Sequence, residues 1–232
     1  MSRCWTQAGL WVGRPLEAHP KKGVYVSSSD LLNPDVIGYL VAEICEGRYW
    51  YLHFGTPCKT WGPAARRSGC TRTRLAPGED GSLTREIKAN EEARVVAMLC
   101  ALLAKHGGFF SIENPAGSYL FLYEPIAALS RDFECYVASF PQCAYGLQLP
   151  GAPPDTFCRK NTYLLTNMNT LRQLSVKCPG LSETHHHETA WGSRIVNGER
   201  IQLTSAAGQY PLNLCNRWAQ ITSKFFQDLS TT

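Results

Sequence analysis

Two short apolar runs, separated by a long helical pattern, constrain the fold of this chain more than any other feature. Residues 49–54 lead into Gly55-Thr56-Pro57-Cys58, and residues 109–112 lead into Glu113-Asn114-Pro115. Between the two runs, apolar residues recur at helical spacing over 84–106. This order favours parallel strands joined by a crossover helix. Since ligands bind at the carboxyl ends of such strands, we expect the Cys58 thiol and the Glu113 carboxylate to face one crevice.

Other segments extend the same alternation of strands and helices. The further predicted elements are a strand at 24–26, helices at 35–46, 120–129 and 212–229, and strands at 135–140 and 161–166. The last two strands lie close in sequence with no helix between them, so they could pair antiparallel. The sequence therefore predicts an α/β fold whose sheet is mostly parallel, with an antiparallel strand pair near its end. Asp30 follows the first strand pattern and is expected at the same rim as Cys58 and Glu113.

Length and composition indicate an ordinary folded protein. The 232 residues fit one domain with a sizeable core. No run of about 18 apolar residues is present, and the N-terminus lacks the basic-then-apolar layout of a secretory signal. The 10 cysteines are scattered without regular spacing, which favours a reducing compartment over a disulfide framework. We expect a nuclear or cytoplasmic protein that is neither secreted nor bound to a membrane.

A cluster of basic residues follows Cys58. Between Lys59 and Lys88 the acids are Glu79, Asp80 and Glu86, and the arginines are Arg66, Arg67, Arg72, Arg74 and Arg85. A solvated surface loop is the plain explanation, and a loop that faces phosphates is the functional one. The position after Cys58 and the length of the Gly-, Pro- and Arg-rich stretch at 62–81 favour the functional explanation.

Cys58 and Glu113 also differ from ordinary residues of their types. Most cysteines are buried and inert. Cys58 instead follows a proline at a strand end, with basic neighbours that favour a thiolate. Glu113 follows four largely apolar strand residues, where a carboxylate must be paired or functional rather than a simple helix cap.

The order of these motifs resembles that of the DNA cytosine-5 methyltransferases. Gly55-Thr56-Pro57-Cys58 is similar to their Pro-Cys nucleophile loop, and Glu113-Asn114-Pro115 to their Glu-Asn-Val segment. Tyr145-Gly146-Leu147 and the later stretch 159–163 are similar to their tyrosine–glycine and Arg-x-Arg segments. Arg159 takes the place of the first arginine, and Asn161 or, with a shift, Lys160 takes the second. The likeness covers residues 24–166, and residues 203–218 are loosely similar to the closing segment that returns to the cofactor.

The resemblance implies a Rossmann-like class I methyltransferase sheet and methyl transfer from S-adenosylmethionine to C5 of cytosine in DNA. Cys58 would add to C6 as a thiolate, Glu113 would hold the base through N3 and the exocyclic amine, and Arg159 would support the base or the phosphate. The cytosine would have to leave the duplex stack. The implied contacts to the cofactor are Asp30, Leu31, Glu17 and Pro57, and those to the substrate are Pro57, Asn114, Lys59, Arg66 and Arg67.

Two parts of the family pattern are missing. The family has an aromatic-then-Gly-x-Gly loop after its first strand, whereas Ala8-Gly9-Leu10-Trp11-Val12-Gly13 has no strand pattern before it. Residues 168–200 form a short polar insertion in place of a target-recognition domain, and a closing helix lies within 201–232. We therefore expect a truncated or divergent single-domain member with its catalytic-core-like region at 24–166. Its partner would be DNA, with RNA as the alternative, and its methyl transfer could be impaired.

Three competing interpretations involve the same residues. The first is a nucleic-acid-binding relative of the same fold without catalysis. The second is a cysteine hydrolase that pairs Cys58 with His53 or with one of the histidines 185–187, although no orienting partner is identifiable. The third is a zinc site made by Cys178 and that triplet. Because adjacent histidines rarely all reach one ion, the sequence favours a polar surface loop there, and no metal is expected.

Overall fold

The computed structural model describes residues 1–18, 24–78 and 82–231. Its α-helices are α1 (Ser2–Gln7), α2 (Pro34–Cys45), α3 (Thr84–Lys105), α4 (Glu124–Asp132), α5 (Leu203–Ala206) and α6 (Leu212–Ser230). Its strands are β1 (Tyr51–Gly55), β2 (Phe109–Pro115), β3 (Tyr136–Pro141), β4 (Thr156–Cys158), β5 (Asn161–Thr166), β6 (His186–Glu188), β7 (Ser193–Val196) and β8 (Glu199–Gln202). Short 3-10 helices cover Ser27–Ser29, Pro63–Ser68, Tyr119–Leu122, Gln142–Tyr145 and Asn169–Leu174.

The main sheet has four strands in the order β1-β2-β5-β3. Strands β1 and β2 run parallel, with the crossover through α3 that the sequence predicts. Two small sheets accompany it, a parallel pair of β4 with β6 and an antiparallel pair of β7 with β8. The predicted α/β class, mostly parallel with antiparallel strands, is confirmed.

The chain divides into two compact units. The strand–helix unit comprises Gly13–Val137 and Leu164–Asn169, and the terminal unit comprises Met1–Val12, Ala138–Tyr163 and the chain from Thr170 onward. The strand–helix unit contains Cys58 and Glu113, whereas the terminal unit contains Arg159, Cys178 and the histidines 185–187.

Strand β2 lies at the centre of the strand–helix unit. Phe110 and Ile112 point to one face of the sheet and Ser111 and Glu113 to the other, and all four are buried. Burial on both faces is typical of a strand in a parallel sheet covered by helices. The core around it is built by apolar side chains from α2, α3, α4 and the sheet, including Val36, Leu40, Ile44, Val96, Leu99, Leu103, Ile126, Leu129 and Leu165.

The ends of the helices follow local chemistry. Helix α2 begins at Pro34, where the Asn33 side chain accepts a hydrogen bond from the Asp35 amide at 3.0 Å. Helix α3 ends before Gly107, whose φ of +76° is the left-handed conformation that glycine tolerates. The helices predicted at 35–46, 84–106 and 212–229 are therefore confirmed to within one residue at each end.

Two of the predicted elements are wrong. Residues 24–26 form no strand, because Val24 and Tyr25 are exposed at 85% and 49% and have no sheet to complete. The helix predicted at 120–129 is divided into a 3-10 helix, Tyr119–Leu122, and α4, which begins at Glu124. Pro125 lies in the first turn of α4, where its missing amide costs no helical hydrogen bond.

The terminal unit has smaller cores. Trp218 of α6 is fully buried and lies 6.4 Å from the Trp5 ring of α1. A second cluster joins Leu147, Leu149 and Cys158 to Leu203 and Ala207. Within the described residues, no helix combines the length and the apolar character that crossing a membrane requires.

Candidate functional site

Strands β1 and β2 end side by side, as predicted. Gly55 at the end of β1 lies opposite Glu113 of β2, and Thr56, Pro57 and Cys58 continue from Gly55. Cys58 is exposed, whereas Glu113 is only 5% exposed. A solvent-accessible thiol and a buried carboxylate therefore leave the sheet at the same edge, from neighbouring strands.

One buried amide joins these two strand ends. The Asn114 Nδ2 group donates to the Thr56 carbonyl oxygen and to Thr56 Oγ1, both at 2.8 Å, and to the Glu113 carbonyl at 3.1 Å. Thr56 Oγ1 in turn donates to the Glu113 carbonyl at 3.3 Å. Asn114 is fully buried, and its Oδ1 atom has no hydrogen-bond partner among the described residues. Asn114, predicted to contact the substrate, thus anchors the loop that carries Cys58 and keeps one buried acceptor without a partner among the described residues.

A tight turn follows the thiol. The Trp61 amide donates to the Cys58 carbonyl at 3.2 Å, and the Trp61 carbonyl accepts from the Tyr119 amide at 2.7 Å. The Trp61 side chain is 2% exposed and lies 5.3 Å from the ring of Tyr123. Cys58 is therefore exposed on a turn whose next aromatic residue is fixed in the core.

The basic loop is not uniformly turned to solvent, which corrects the sequence prediction for Arg72. Arg72 is 1% exposed and its guanidinium carbon lies 3.6 Å from the Trp61 ring centroid. Its Nη1 donates to Asn90 Oδ1 at 2.6 Å, and its Nη2 donates to the Glu86 carbonyl at 2.9 Å. This arginine cannot contact a phosphate in this structure.

Glu86 completes the buried network around Arg72. Its carboxylate lies 3.5 Å from Arg72 Nε, and both side chains are 1% exposed. It also accepts hydrogen bonds from the Thr71 amide at 3.2 Å and the Thr71 hydroxyl at 2.7 Å. The network fixes the loop after Cys58 to the first turns of α3.

Other basic residues of this loop do lie at the surface. Arg66 and Arg67 are exposed on the 3-10 helix Pro63–Ser68, and Lys59 and Arg74 are exposed as well. The Arg85 guanidinium donates to the Ser68 carbonyl. The predicted acids Glu79 and Asp80 lie outside the described residues.

The predicted cofactor residues lie near the N-terminal half of α3. The Asp30 carboxylate accepts hydrogen bonds from the Tyr25 hydroxyl at 2.6 Å and the Leu32 amide at 2.9 Å. Lys88 Nζ lies 4.0 Å from the same carboxylate. Leu31 is half-buried against the core. Asp30 does not follow a strand, so its position depends on these local contacts and not on the sheet edge.

Glu92 lines a cleft beside Pro57 and interacts electrostatically with Asp30 and Glu17. Burial raises the pKa of Glu92, the negative charges of Asp30 and Glu17 raise it further, and Lys88 opposes them. The cleft has a volume of about 200 Å³ and is lined by Pro57, Lys59, Thr60, Arg85, Ala89 and Glu92.

S-adenosylmethionine is the donor that the resemblance implies, and the residue types that line the cleft can be compared with its groups. Carboxylates accept hydrogen bonds from ribose hydroxyls and ammonium groups, and the Pro57 and Ala89 side chains offer apolar surface. The cleft is open to solvent, and its volume is smaller than the roughly 300 Å³ at which pockets for drug-sized ligands begin. Glu92 is the one acid among the lining residues, so the cleft offers a single carboxylate to a ribose hydroxyl or an ammonium group.

His53 does not have the properties of a catalytic base. Burial lowers its pKa to about 3, and its Nδ1 lies 2.9 Å from Ser111 Oγ. A base this weak is mismatched to proton abstraction near neutral pH. The hydrolase that pairs Cys58 with His53 is therefore disfavoured.

Arg159 lies between β4 and β5 in the terminal unit and is exposed. Burial raises the pKa of Cys143, the neighbouring Cys178 raises it too, and the positive charge of Arg159 lowers it. Burial also lowers the pKa of His187, with smaller contributions from His185 and Arg159. Arg159 thus acts electrostatically on a group of cysteines and histidines in its own unit.

That group contains the residues for which the sequence favoured a polar surface loop. Cys178, His185 and His187 converge with Cys143, and their ligand atoms lie within 4.8 Å of one another. His185 is 7% exposed, whereas the middle histidine, His186, is exposed. Sequence reasoning missed Cys143 because it is distant in sequence from Cys178 and the histidines, in a segment without recognisable metal-ligand spacing.

Comparison with protein-family models, with curated proteins and with solved structures finds no match to this chain.

Proposed function

We propose that this protein acts on cytosine in DNA through a covalent Cys58 adduct, the chemistry of cytosine-5 methyl transfer. The observation that carries the proposal is the register of β1 and β2, which brings the Cys58 loop and Glu113 to one sheet edge. Asn114 supports it, because its amide joins both strand ends and leaves Oδ1 without a partner among the described residues. The Rossmann-like methyltransferase sheet is part of the same proposal.

The chain's own residues account for addition to the base. The Cys58 thiolate forms a bond to C6, and the electrons of the C5–C6 double bond move onto C5 and into the ring. Glu113 binds the exocyclic amine and shares a proton with N3, which stabilises the charge that develops there. Loss of the C5 proton and expulsion of the Cys58 thiolate would later restore the ring.

S-adenosylmethionine would supply the methyl group when bound. Asp30, Leu31, Glu17 and Pro57 are the residues that would hold it, together with Glu92 in the cleft. Exposed Lys59, Arg66 and Arg67 would contact the phosphates of the nucleic acid.

Two substituted oligonucleotides test addition and methyl transfer separately. In one, 2-pyrimidinone replaces cytosine; its C6 is more electrophilic, so an adduct should form without a donor. In the other, 5-fluorocytosine replaces cytosine; C5 has no proton to lose, so methylation should lock the adduct in the presence of S-adenosylmethionine. We expect a protein–oligonucleotide species on denaturing gels and a mass shift on the peptide that contains Cys58.

Cys58→Ser should abolish both adducts. Cys45→Ser is the matched control, since Cys45 is the other fully exposed cysteine of the ten and lies outside the site. If neither oligonucleotide forms an adduct that requires Cys58, the catalytic proposal is wrong. Matched RNA oligonucleotides in the same assay would show whether RNA replaces DNA as substrate.

The donor is tested by isothermal titration with S-adenosylmethionine. We expect measurable binding of S-adenosylmethionine to the wild type, and we expect Glu92→Gln and Asp30→Asn to lower the affinity. No heat at millimolar donor, together with a 2-pyrimidinone adduct, would remove methyl transfer from the proposal and leave base addition.

A non-catalytic nucleic-acid-binding relative is the second candidate, favoured by the small volume of the cleft beside Pro57. It shares salt-dependent binding through the exposed arginines but forms no adduct. Binding that weakens with salt and in Arg66→Ala with Arg67→Ala, without any adduct, would favour this candidate.

A further inference from the structure

We propose that Cys143, Cys178, His185 and His187 form a tetrahedral site for a structural zinc ion in the terminal unit. This site is independent of the chemistry at Cys58, because all four ligands belong to the terminal unit and Cys58 does not.

The distances between the ligand atoms match the edges of a zinc tetrahedron. His185 Nε2 lies 3.1 Å from His187 Nε2, and Cys178 Sγ lies 3.3 Å from His187 Nε2 and 3.6 Å from His185 Nε2. Zinc–sulfur bonds of about 2.3 Å and zinc–nitrogen bonds of about 2.0–2.1 Å require edges of roughly 3.3–3.8 Å in a regular tetrahedron. The two sulfur–nitrogen distances lie within this range and the nitrogen–nitrogen distance is about 0.2 Å below it, while Cys143 Sγ lies within 4.8 Å of all three atoms.

The residue types agree with a structural site. Two cysteines and two histidines are a common closed ligand set for zinc, with no coordination position left for water or substrate. Soft sulfur ligands also disfavour magnesium and calcium, which bind oxygen. The four ligands therefore specify zinc and a role in stability rather than catalysis.

Strand geometry explains how a histidine triplet can serve one ion. Side chains two residues apart in an extended segment point to the same side. His185 and His187 accordingly meet, with ring centroids 4.9 Å apart, while His186 between them is exposed. Three adjacent histidines rarely all reach one ion, but here only His185 and His187 would bind it.

The ligands are held by the surrounding structure. The ring of His185 stacks on Phe157 at 4.7 Å, and strand β6 pairs with β4 so that His187 lies opposite Phe157. The Ser182 and His185 backbones exchange two hydrogen bonds of 3.2 Å. These contacts fix both rings before any ion binds, which lowers the ordering cost of binding.

The sulfur of Cys178 has an outer contact of the kind that metal-bound ligands require. The Gly180 amide donates to Cys178 Sγ at 3.4 Å. Gly180 has a φ of +94°, which turns this amide back toward the sulfur and which other residues rarely adopt. Hydrogen bonds to the atoms that bind a metal orient them and stabilise a thiolate.

The ion would join segments that have little apolar core of their own. Cys143 lies in the 3-10 helix Gln142–Tyr145, and Cys178 lies in an irregular segment. His185 directly precedes the three-residue strand β6, and His187 is the middle residue of that strand. Lys177 and the residues 179–184 are exposed or half-buried. A bound zinc would therefore hold the 175–188 segment onto the 3-10 helix, as metals do in small domains with weak cores.

Metal analysis of the full-length protein, purified without chelator from zinc-supplemented cells, tests the site. We expect one zinc per chain by mass spectrometry of the metal. Addition of a thiol-specific mercurial should release that zinc when Cys143 and Cys178 are modified, whereas modification of the exposed Cys45 and Cys58 should release none. Replacement by cobalt should give the visible absorption of a tetrahedral site with sulfur-to-cobalt charge-transfer bands.

Variants distinguish this site from adventitious binding by histidines. His187→Ala, Cys178→Ser and Cys143→Ser should each weaken zinc binding by about 100-fold or more, whereas the matched control His186→Ala should bind zinc like the wild type. Because a ligand variant could unfold, the decisive measurement is made on the wild type and on His186→Ala. Wild-type protein that is free of zinc and gains no thermal stability from it would overturn the proposal. A Cys143–Cys178 disulfide in protein purified under argon, or equal zinc loss in His186→Ala and His187→Ala, would overturn it too.

Discussion

Replacing the buried Arg72 by methionine tests whether the loop after Cys58 is fixed or mobile. Arg72→Met keeps the length and the apolar part of the side chain but removes the charge above Trp61. The variant loses the hydrogen bond to Asn90 at 2.6 Å and the one to the Glu86 carbonyl at 2.9 Å. It also leaves the Glu86 carboxylate, 1% exposed, without its cationic partner.

The expected loss of stability follows from these contacts. Removing one partner of a buried ion pair costs about 3–5 kcal/mol, mainly because the other charge stays buried. Glu86 keeps its hydrogen bonds from the Thr71 amide and hydroxyl, so the lower end of that range applies. We expect a loss of about 3 kcal/mol, which corresponds to a decrease in Tm of roughly 6–12 °C for a protein of this size.

Urea unfolding followed by tryptophan fluorescence measures this change. The six tryptophans together report global unfolding, and Trp61, which stacks on Arg72, is the one that contacts the substituted residue. Arg74→Met is the matched control, because Arg74 belongs to the same loop and is exposed; it should change stability by less than about 0.5 kcal/mol. Equal stability of the two variants would show that Arg72 does not anchor the loop. A double variant, Arg72→Met with Glu86→Gln, should recover part of the loss, since no uncompensated charge remains.

Two further predictions concern the sheet itself. Because burial lowers the pKa of His53 to about 3, the folded protein keeps it neutral while the unfolded chain binds a proton below about pH 6.5. The free energy of unfolding should therefore fall as the pH decreases from about 6.5 toward 3. In urea titrations, His53→Gln should make this fall shallower. Parallel pH profiles of wild type and His53→Gln would contradict the assignment of the effect to His53. Asn114→Ala removes the two 2.8 Å hydrogen bonds to Thr56 and should cost about 1–3 kcal/mol. It should also decrease the Cys58 adduct by more than the stability loss explains, whereas equal adduct yields in Asn114→Ala and wild type would refute the positioning role.

The sequence predicted the parts of the site that depend on periodicity. The two apolar runs and the helix between them specify a parallel crossover, and this alone brings Cys58 and Glu113 to one edge. The prediction of a surface loop after Cys58 was wrong for Arg72, which is buried. In the sequence, Arg72 is indistinguishable from the exposed arginines around it. Its burial is favourable only because the fold brings Glu86, Asn90 and Trp61 to its side chain.

The cysteine–histidine cluster shows a second limit of sequence reasoning. Spacing patterns detect ligands that are close in the chain, such as His185 and His187. Cys143 is brought to them by the fold of the terminal unit, and no local pattern around it signals that contact. Asp30 shows the opposite case, since a short apolar pattern predicted a strand before it that exposure of Val24 prevents.

The bridge that Asn114 makes to Thr56 has a mechanical consequence. The nucleophile loop is attached to the same strand end that carries the acid, so thermal fluctuations of the sheet displace both groups together. The bridge restrains the backbone of Thr56 relative to the backbone of Glu113. Loss of this one buried side chain would therefore release the Cys58 loop from the strand that carries Glu113.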